Sequence, residues 1–379
     1  MRTARECGVY AGEEVLLVAM ELSSTKWRLA MGARGRVRQV TLEPGAVGAF
    51  EEAISRGKAK LGVAGGAVVV SGYEAGRDGF WVHRWLALRG VRNVVVDSSS
   101  IEVSRRARQA KTDRMDAERL LNLLQRWYGG EAGALRTVRV PSVEEEDARV
   151  LHRERASWVE ARKQAGNRLR GVLAAQGVRT ERSIGVWGKR LDELRTGDGR
   201  ELPPQLRERV ERRVGYWVGL NRTIRDMEAA QRERLRRAGG EGAAVLVSLL
   251  MSLRGVGQQT AWLLVWELFG WRSYGNRREL AASVGLVGTP FDSGESRREQ
   301  GISKSGNRRV RTALIELAWL WLRHQPDSAL SQWFVQRFSG TARGRKVGIV
   351  ALARKLPIAL WQMTRTGEVP SGARLSRAA

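Results

Sequence analysis

The first hundred residues combine short apolar runs with strict alternation. Residues 13–21 read Glu-Glu-Val-Leu-Leu-Val-Ala-Met-Glu. A continuous apolar run closed by a carboxylate suits a buried strand. Trp27-Arg-Leu-Ala-Met31 and Val37-Arg-Gln-Val-Thr-Leu42 alternate at period two, with Gly32 and Gly35 between them. Together the three segments predict an antiparallel meander. A helix is expected over residues 46–56, and a second buried strand over 67–74 that again ends in a carboxylate, Glu74. A helix over 78–89 and a third buried strand over 94–97 follow. Lys111-Thr-Asp-Arg-Met-Asp-Ala-Glu118 then opens a helix whose apolar spacing continues at Leu120, Leu121 and Leu124. Thr112 or Asp113 is its expected N-cap.

The pattern changes near residue 129. Residues 129–141 read as a Gly- and Ala-rich linker, and 144–173 as one charged helix. After a Gly-punctuated loop, residues 206–237 form a long helix. Its apolar positions Leu206, Val210, Val214, Trp217, Leu220, Ile224 and Met227 alternate steps of three and four, a heptad seam. An antiparallel or intermolecular coiled coil is expected. The narrow seam and charged flanks favour a dimer contact over a hairpin packed within one chain. Beyond Gly239 and Gly240, two apolar helices meet at Gly255-Val-Gly257. This looks like a helix-hairpin-helix turn, where glycine lets backbone N–H groups approach a phosphate. Residues 291–311 are polar, Gly-punctuated and dense in Arg and Ser. So long a basic connector points to function. A helix over residues 307–323 follows it.

The order βββ-α-β-α-β-α over the first 128 residues is that of a ribonuclease-H-like mixed sheet covered by helices. The expected fold class is therefore α/β plus α. Residues 1–128 form the sheet domain, 129–240 the linker and coiled-coil helices, and 241–379 a mostly helical C-terminal domain.

Charge narrows the partners. Lys and Arg number 66 against 40 Asp and Glu, a net charge of +26. The excess is mostly Arg, whose fork binds phosphate in pairs of hydrogen bonds, so a nucleic acid is the expected partner. No apolar run reaches the roughly 18–20 residues needed to span a bilayer, and no signal-type apolar core follows Met1. Cys7 is the only cysteine, which excludes a disulfide framework and a cysteine zinc site. The expected location is the cytoplasm, on the nucleoid. His83, His152 and His324 are scattered and are assigned no chemistry.

Four acids stand out within that basic chain. Asp113 and Asp116 share one helix face, three residues apart. Glu21 and Glu74 fall at the C-terminal ends of central strands, where sites of open α/β sheets lie. If the four converge, they offer oxygen ligands to Mg²⁺ beside a phosphate. Two such ions about 3.5–4 Å apart can clamp a phosphodiester. The competing reading makes Asp113 and Asp116 first-turn acids favoured by the helix dipole, Glu74 an ion-pair partner of Arg77 or Arg84, and Glu21 an exposed strand end.

Tyr73-Glu-Ala-Gly-Arg-Asp-Gly-Phe80, Lys111-Thr-Asp-Arg-Met-Asp116, Gly255-Val-Gly257, Gly285-Leu-Val with Ser293-Gly294, and Gly301-Ile-Ser-Lys-Ser-Gly-Asn-Arg308 occur in that order. The ordered set resembles the DEDD transposases of insertion sequences, the RuvC-like, bridge-RNA-guided recombinases related to the Piv DNA invertase. The likeness covers most of the chain. It implies a RuvC-like N-terminal domain, a coiled-coil middle and a C-terminal transposase domain. It implies Mg²⁺ at Glu21, Glu74, Asp113 and Asp116, and a serine nucleophile in the C-terminal domain. Ser293 fits the family's serine-glycine position, with Ser303 and Ser305 as alternatives. It also implies a structured guide RNA that pairs with donor and target DNA, and a dimeric or tetrameric assembly. The family has Asp at its first acid, where this chain has Glu21; the extra methylene shifts that carboxylate.

The expected activity is RNA-guided DNA cutting and rejoining through a covalent phosphoserine link. Arg297, Arg298, Lys304 and Arg308 are the expected neutralisers of phosphate charge near the nucleophile. Arg105, Arg106, Arg108, Lys111, Gly255, Gly257 and Arg309 are the other expected nucleic-acid contacts. Two alternatives stay open: a Holliday-junction-type nuclease using water as nucleophile, and a nucleic-acid-binding scaffold with a weak metal site.

Overall fold

The computed structural model describes residues 14–76, 79–98, 101, 113–179, 183–238, 242–293 and 296–376. For residues 113, 114, 290–293 and 296–300 it describes the backbone alone. The chain divides into two compact units, Met1–Ser142 and Val143–Ala379.

The first unit is built on a six-stranded mixed sheet. β1 (Val15–Leu22), β2 (Trp27–Ala33) and β3 (Arg36–Leu42) form the expected antiparallel meander. Helix α1 (Val47–Leu61) leads to β4 (Val68–Glu74), and α2 (Trp81–Ala87) to β5 (Arg92–Val96). Helix α3 (Asp113–Tyr128) leads to a short β6 (Thr137–Val138). The strand order is β3-β2-β1-β4-β5-β6, with β1, β4 and β5 parallel. Both faces are covered, which explains why the central strands read as unbroken apolar runs rather than alternating ones. Leu16, Val18 and Met20 pack on one side with Phe50, Ile54, Val82 and Leu86. Leu17, Ala19, Val70 and Val96 pack on the other with Ala117, Leu120, Leu121 and Leu124 of α3. The linker expected over residues 129–141 is in part structure. It carries β6, paired with β5, and buries Ala134 and Leu135. A two-residue edge strand leaves no periodicity to read.

The second unit begins with α4 (Val143–Asp147) and α5 (Val150–Ala174), where one continuous helix was expected. After a short α6 (Ile184–Trp187) comes α7 (Pro204–Arg237), 34 residues long. α5 and α7 run antiparallel: Arg155 donates to Glu228 (Nε–Oε1 2.9 Å) and Arg162 to Asn221 (2.9 Å). Val210, Val214, Leu220 and Ile224 of the seam are buried, and α5 lies against α7. The seam is thus filled within the chain. The dimer contact favoured from its spacing is not needed to cover it, because periodicity cannot tell a partner helix from one's own.

The remaining elements are α8 (Gly242–Met251), α9 (Gln258–Leu264), a π-helical turn at Val265–Phe269 and α10 (Arg277–Ser283). Next come a β-hairpin, β7 (Gly288–Ser293) and β8 (Ser296–Ile302), and the helices α11 (Arg308–His324), α12 (Ala329–Phe338) and α13 (Ala342–Thr366). Leu250, Val265, Leu280, Leu314, Trp321, Leu352 and Leu356 lie in their common core. The hairpin falls in the segment read as a basic connector, since β7 holds one large apolar residue, Phe291, and β8 runs Ser-Arg-Arg-Glu-Gln, which leaves no apolar alternation to read. Among the described residues no helix is long and apolar enough to cross a membrane.

Candidate functional site

The parallel pairing of β1 with β4 ends at Met20 opposite Tyr73. Glu21 and Glu74 each follow by one residue, so the sheet itself sets the two carboxyl-bearing positions side by side. With Ser23, Ser24 and Gly76 they line a cleft of about 310 Å³ at the C-terminal ends of the strands. Its rim is held by backbone and hydroxyl bonds. Ser23 Oγ donates to Lys26 O (2.7 Å), Tyr73 to Gly79 O (2.8 Å) and Ser98 to Ala75 O (2.9 Å). Glu74 is exposed and Glu21 half-buried. They are therefore poised at the surface rather than lost in the core.

Asp116 lies in the first turn of α3, half-buried, with Arg119 Nη1 3.9 Å from its Oδ1. Asp113 is the first residue of that helix; its side chain lies outside the described residues. α3 is held against β1, β2 and β4 by its apolar stripe. The structure thus brings Glu21 and Glu74 to one cleft and does not place Asp116 in its lining. Among the described residues no three His, Cys, Asp or Glu side chains gather as a metal cage. Arg105, Arg106, Arg108 and Lys111 lie outside the described residues.

In the second unit Ser293 closes β7 and pairs with Ser296, with Asp292 opposite Arg297 and Phe291 opposite Arg298. The hairpin runs into a strap, residues 303–307, that is pinned at several points. Ser303 N donates to Val287 O (2.9 Å), Lys304 N to Gly285 O (3.1 Å) and Asn307 N to Ser283 O (3.2 Å). Arg311 donates to Val284 O and Ser305 O. Ser303 Oγ and Ser305 Oγ are 3.0 Å apart, bracketing Lys304 in the left-handed region at φ 55°. Gly285 and Gly306 are required here. Both have positive φ, and a Cβ would fall 1.8 Å from Ser305 O and 2.1 Å from Ser283 O respectively. Lys304, Arg308 and Arg309 are exposed. Gly255 has φ +89°, and a Cβ there would sit 2.8 Å from Cβ of His324. Packing on α11 therefore accounts for that glycine; a Cβ on Gly257 would meet nothing within 4 Å.

A buried network anchors the strap, and sequence reasoning missed it. Glu267, 1% exposed in the π-helical turn, accepts from His152 Nε2 (2.8 Å), Arg153 Nε (2.7 Å), Arg153 Nη2 (2.9 Å) and Asn307 Nδ2 (2.9 Å). Burial alone would raise its pKa. The His152 and Arg153 hydrogen bonds and the Arg153 charge more than reverse this, holding it far below the ordinary 4.5. Asn307 Oδ1 meanwhile caps α11 by accepting from Arg309 N and Val310 N. One asparagine thus ties the strap, α11 and the buried acid together. The signal was present: a lone carboxylate inside the apolar run 261–269 needs a partner.

The profile of the Transposase IS116/IS110/IS902 family matches residues 247–332, which include α9, the hairpin, the strap and α11. A putative transposase, y4rJ, of Sinorhizobium fredii is 39% identical over 381 residues, covering 94% of each chain. The transposase of insertion element IS1328 of Yersinia enterocolitica is 30% identical over 60% of this chain and 66% of its own. That of IS1111A of Coxiella burnetii is 26% identical over 67% of this chain and 66% of its own. On this likeness along its length, the chain belongs to the IS116/IS110/IS902 family of insertion-sequence transposases.

Proposed function

We propose that the chain is an RNA-guided DNA recombinase of its insertion sequence, and that its first unit is an RNase H-like domain of the RuvC kind. The observation that carries this reading is the cleft shared by Glu21 and Glu74 at the ends of adjacent parallel strands. Two carboxylates there suit Mg²⁺, which takes one or two protein carboxylates and completes its shell with water and phosphate oxygens. In this reading Asp113 and Asp116 supply the remaining acids. Bound there, the ion supplies Lewis acidity to a phosphodiester and lowers the pKa of an attacking hydroxyl.

Ser293 is the nucleophile in this reading. Its Oγ bonds to phosphorus while the bond from phosphorus to the leaving sugar oxygen breaks, and the serine proton ends on that oxygen. The phosphoserine ester conserves the bond, so the reverse step joins a new strand without ATP. Arg297, Arg298, Lys304 and Arg308 neutralise phosphate charge. Sequence is read by a guide RNA while the protein grips backbones, within a homo-oligomer. A second reading gives the attack to Ser303 or Ser305. Their 3.0 Å contact lets one hydroxyl accept the other's hydrogen bond.

Denaturing gels of wild-type protein with labelled insertion-sequence ends, guide RNA and Mg²⁺ test this. A protein–DNA adduct is expected, absent in Ser293→Ala and in Glu74→Gln. Free cut strands without an adduct would mean a water nucleophile. An adduct surviving in Ser293→Ala and lost in Ser303→Ala or Ser305→Ala would move the nucleophile to the strap.

A further inference from the structure

Residues 328–367 contain seven Lys and Arg and no Asp or Glu. They form α12, the turn after it and α13. Among the described residues none of the seven has an ion-pair partner. This sets the segment apart from α7, whose ten arginines are interleaved with five acids, so that four of them are paired, as Arg207 is with Glu211 and Arg237 with Glu233.

The charges lie opposite or beside the buried stripe, except Arg345, which shares the phase of Ile349 and Leu352 but is exposed in the first turn of α13. α13 buries Gly348, Ile349, Leu352, Ala353 and Leu356, and helical spacing puts Arg343 and Arg354 opposite them. Arg337, Arg343, Arg345 and Lys346 fall within ten residues around the α12–α13 turn, all exposed. Lys355 Nζ sits 4.6 Å over the Trp333 ring, carrying the positive surface across to α12. From Arg343 to Lys355 the patch runs about 18 Å at the helical rise. Several duplex phosphates fit along that length.

The surface suits a polyanion with evenly spaced charge. A bilayer is a poor match: an interfacial helix needs an apolar face free to enter it, and that face of α13 is buried in the core. A transposase must hold duplex DNA on both sides of the cut, which supplies such a polyanion. We infer that the outer face of α12 and α13, centred on Arg337, Arg343, Arg345 and Lys346, is a docking surface for the sugar–phosphate backbone of duplex DNA. The inference rests on the transposase family alone and needs neither the metal nor the serine step.

The test is a salt series of duplex binding by the full-length protein without Mg²⁺, read by fluorescence anisotropy on 30-base-pair DNA. Each lost phosphate contact lowers the log–log salt slope by about 0.9. Arg343→Gln/Arg345→Gln/Lys346→Gln is expected to lower it by about 2–3, with no loss of thermal stability and unchanged sequence preference. Arg209→Gln/Arg222→Gln/Arg225→Gln, which removes equal charge from α7, is expected to leave it unchanged. A wild-type slope in the first variant overturns the inference. So does an equal fall in the second, which makes net charge the cause. Loss confined to a structured RNA probe, or shared equally by anionic vesicles, overturns the assignment to DNA. Because no covalent step is read, a missing serine adduct leaves this result standing.

Discussion

At the scale of single residues the most demanding position is Glu267. A carboxylate 1% exposed survives only because His152, Arg153 and Asn307 all donate to it. Glu267→Ala strips buried His152, half-exposed Arg153 and Asn307 of their acceptor, and a loss of roughly 1–3 kcal/mol is expected in denaturant unfolding. The pH dependence has a definite sign. The folded pKa is depressed, so the stabilisation is complete above the ordinary value of 4.5 and declines as pH falls below it. Glu267→Gln should flatten that acid limb in a series of melts from pH 6 to pH 3; an unchanged limb would locate the acid sensitivity elsewhere. Asn307→Ala removes the α11 cap, costing about 1 kcal/mol, and a donor to Glu267. It should therefore exceed a plain cap deletion such as Thr341→Ala on α13, whose exposed side chain caps Gly344 N.

At the scale of elements the sequence was most readable where burial sets the period. β1, β2, β3, β4 and β5 follow the apolar runs and alternations closely, and Glu21 and Glu74 sit where strand ends put them. β6 and the β7–β8 hairpin escaped notice. Two residues carry no period, and polar strands with a single large apolar residue each carry no contrast. The seam of α7 was legible as a seam, but its partner was not, since only the fold decides which helix fills it. Because α5 fills it, Leu220→Ala should cost roughly 2–5 kcal/mol. That cost should be equal at protein concentrations tenfold apart; a concentration-dependent melt would restore an intermolecular seam. α13 invites a prediction of opposite sign. Its first turn holds no acid, yet the N-terminal end of a helix favours negative charge. Arg343→Glu should stabilise the protein by about 0.3–1 kcal/mol while weakening DNA binding. Stability gained at the expense of binding is the usual mark of a surface kept for a ligand.

At the scale of the whole molecule the chain divides after Ser142 into two compact units. Each has its own apolar core. A fragment of residues 143–379 should therefore fold alone with one cooperative melt; a fragment without near-ultraviolet circular dichroism would show that the division is only geometric. The carboxylate cleft belongs to the first unit, whereas the serine strap and the basic face of α12 and α13 belong to the second. The arrangement of α5 has a mechanical consequence. It is a rod of 25 residues, about 37 Å long at the helical rise, gripped near its start by Glu267 and along its length by α7. Such a rod cannot tilt at its far end without pulling on that grip. A load on the distal turn of the α5–α7 hairpin is felt where the strap enters α11.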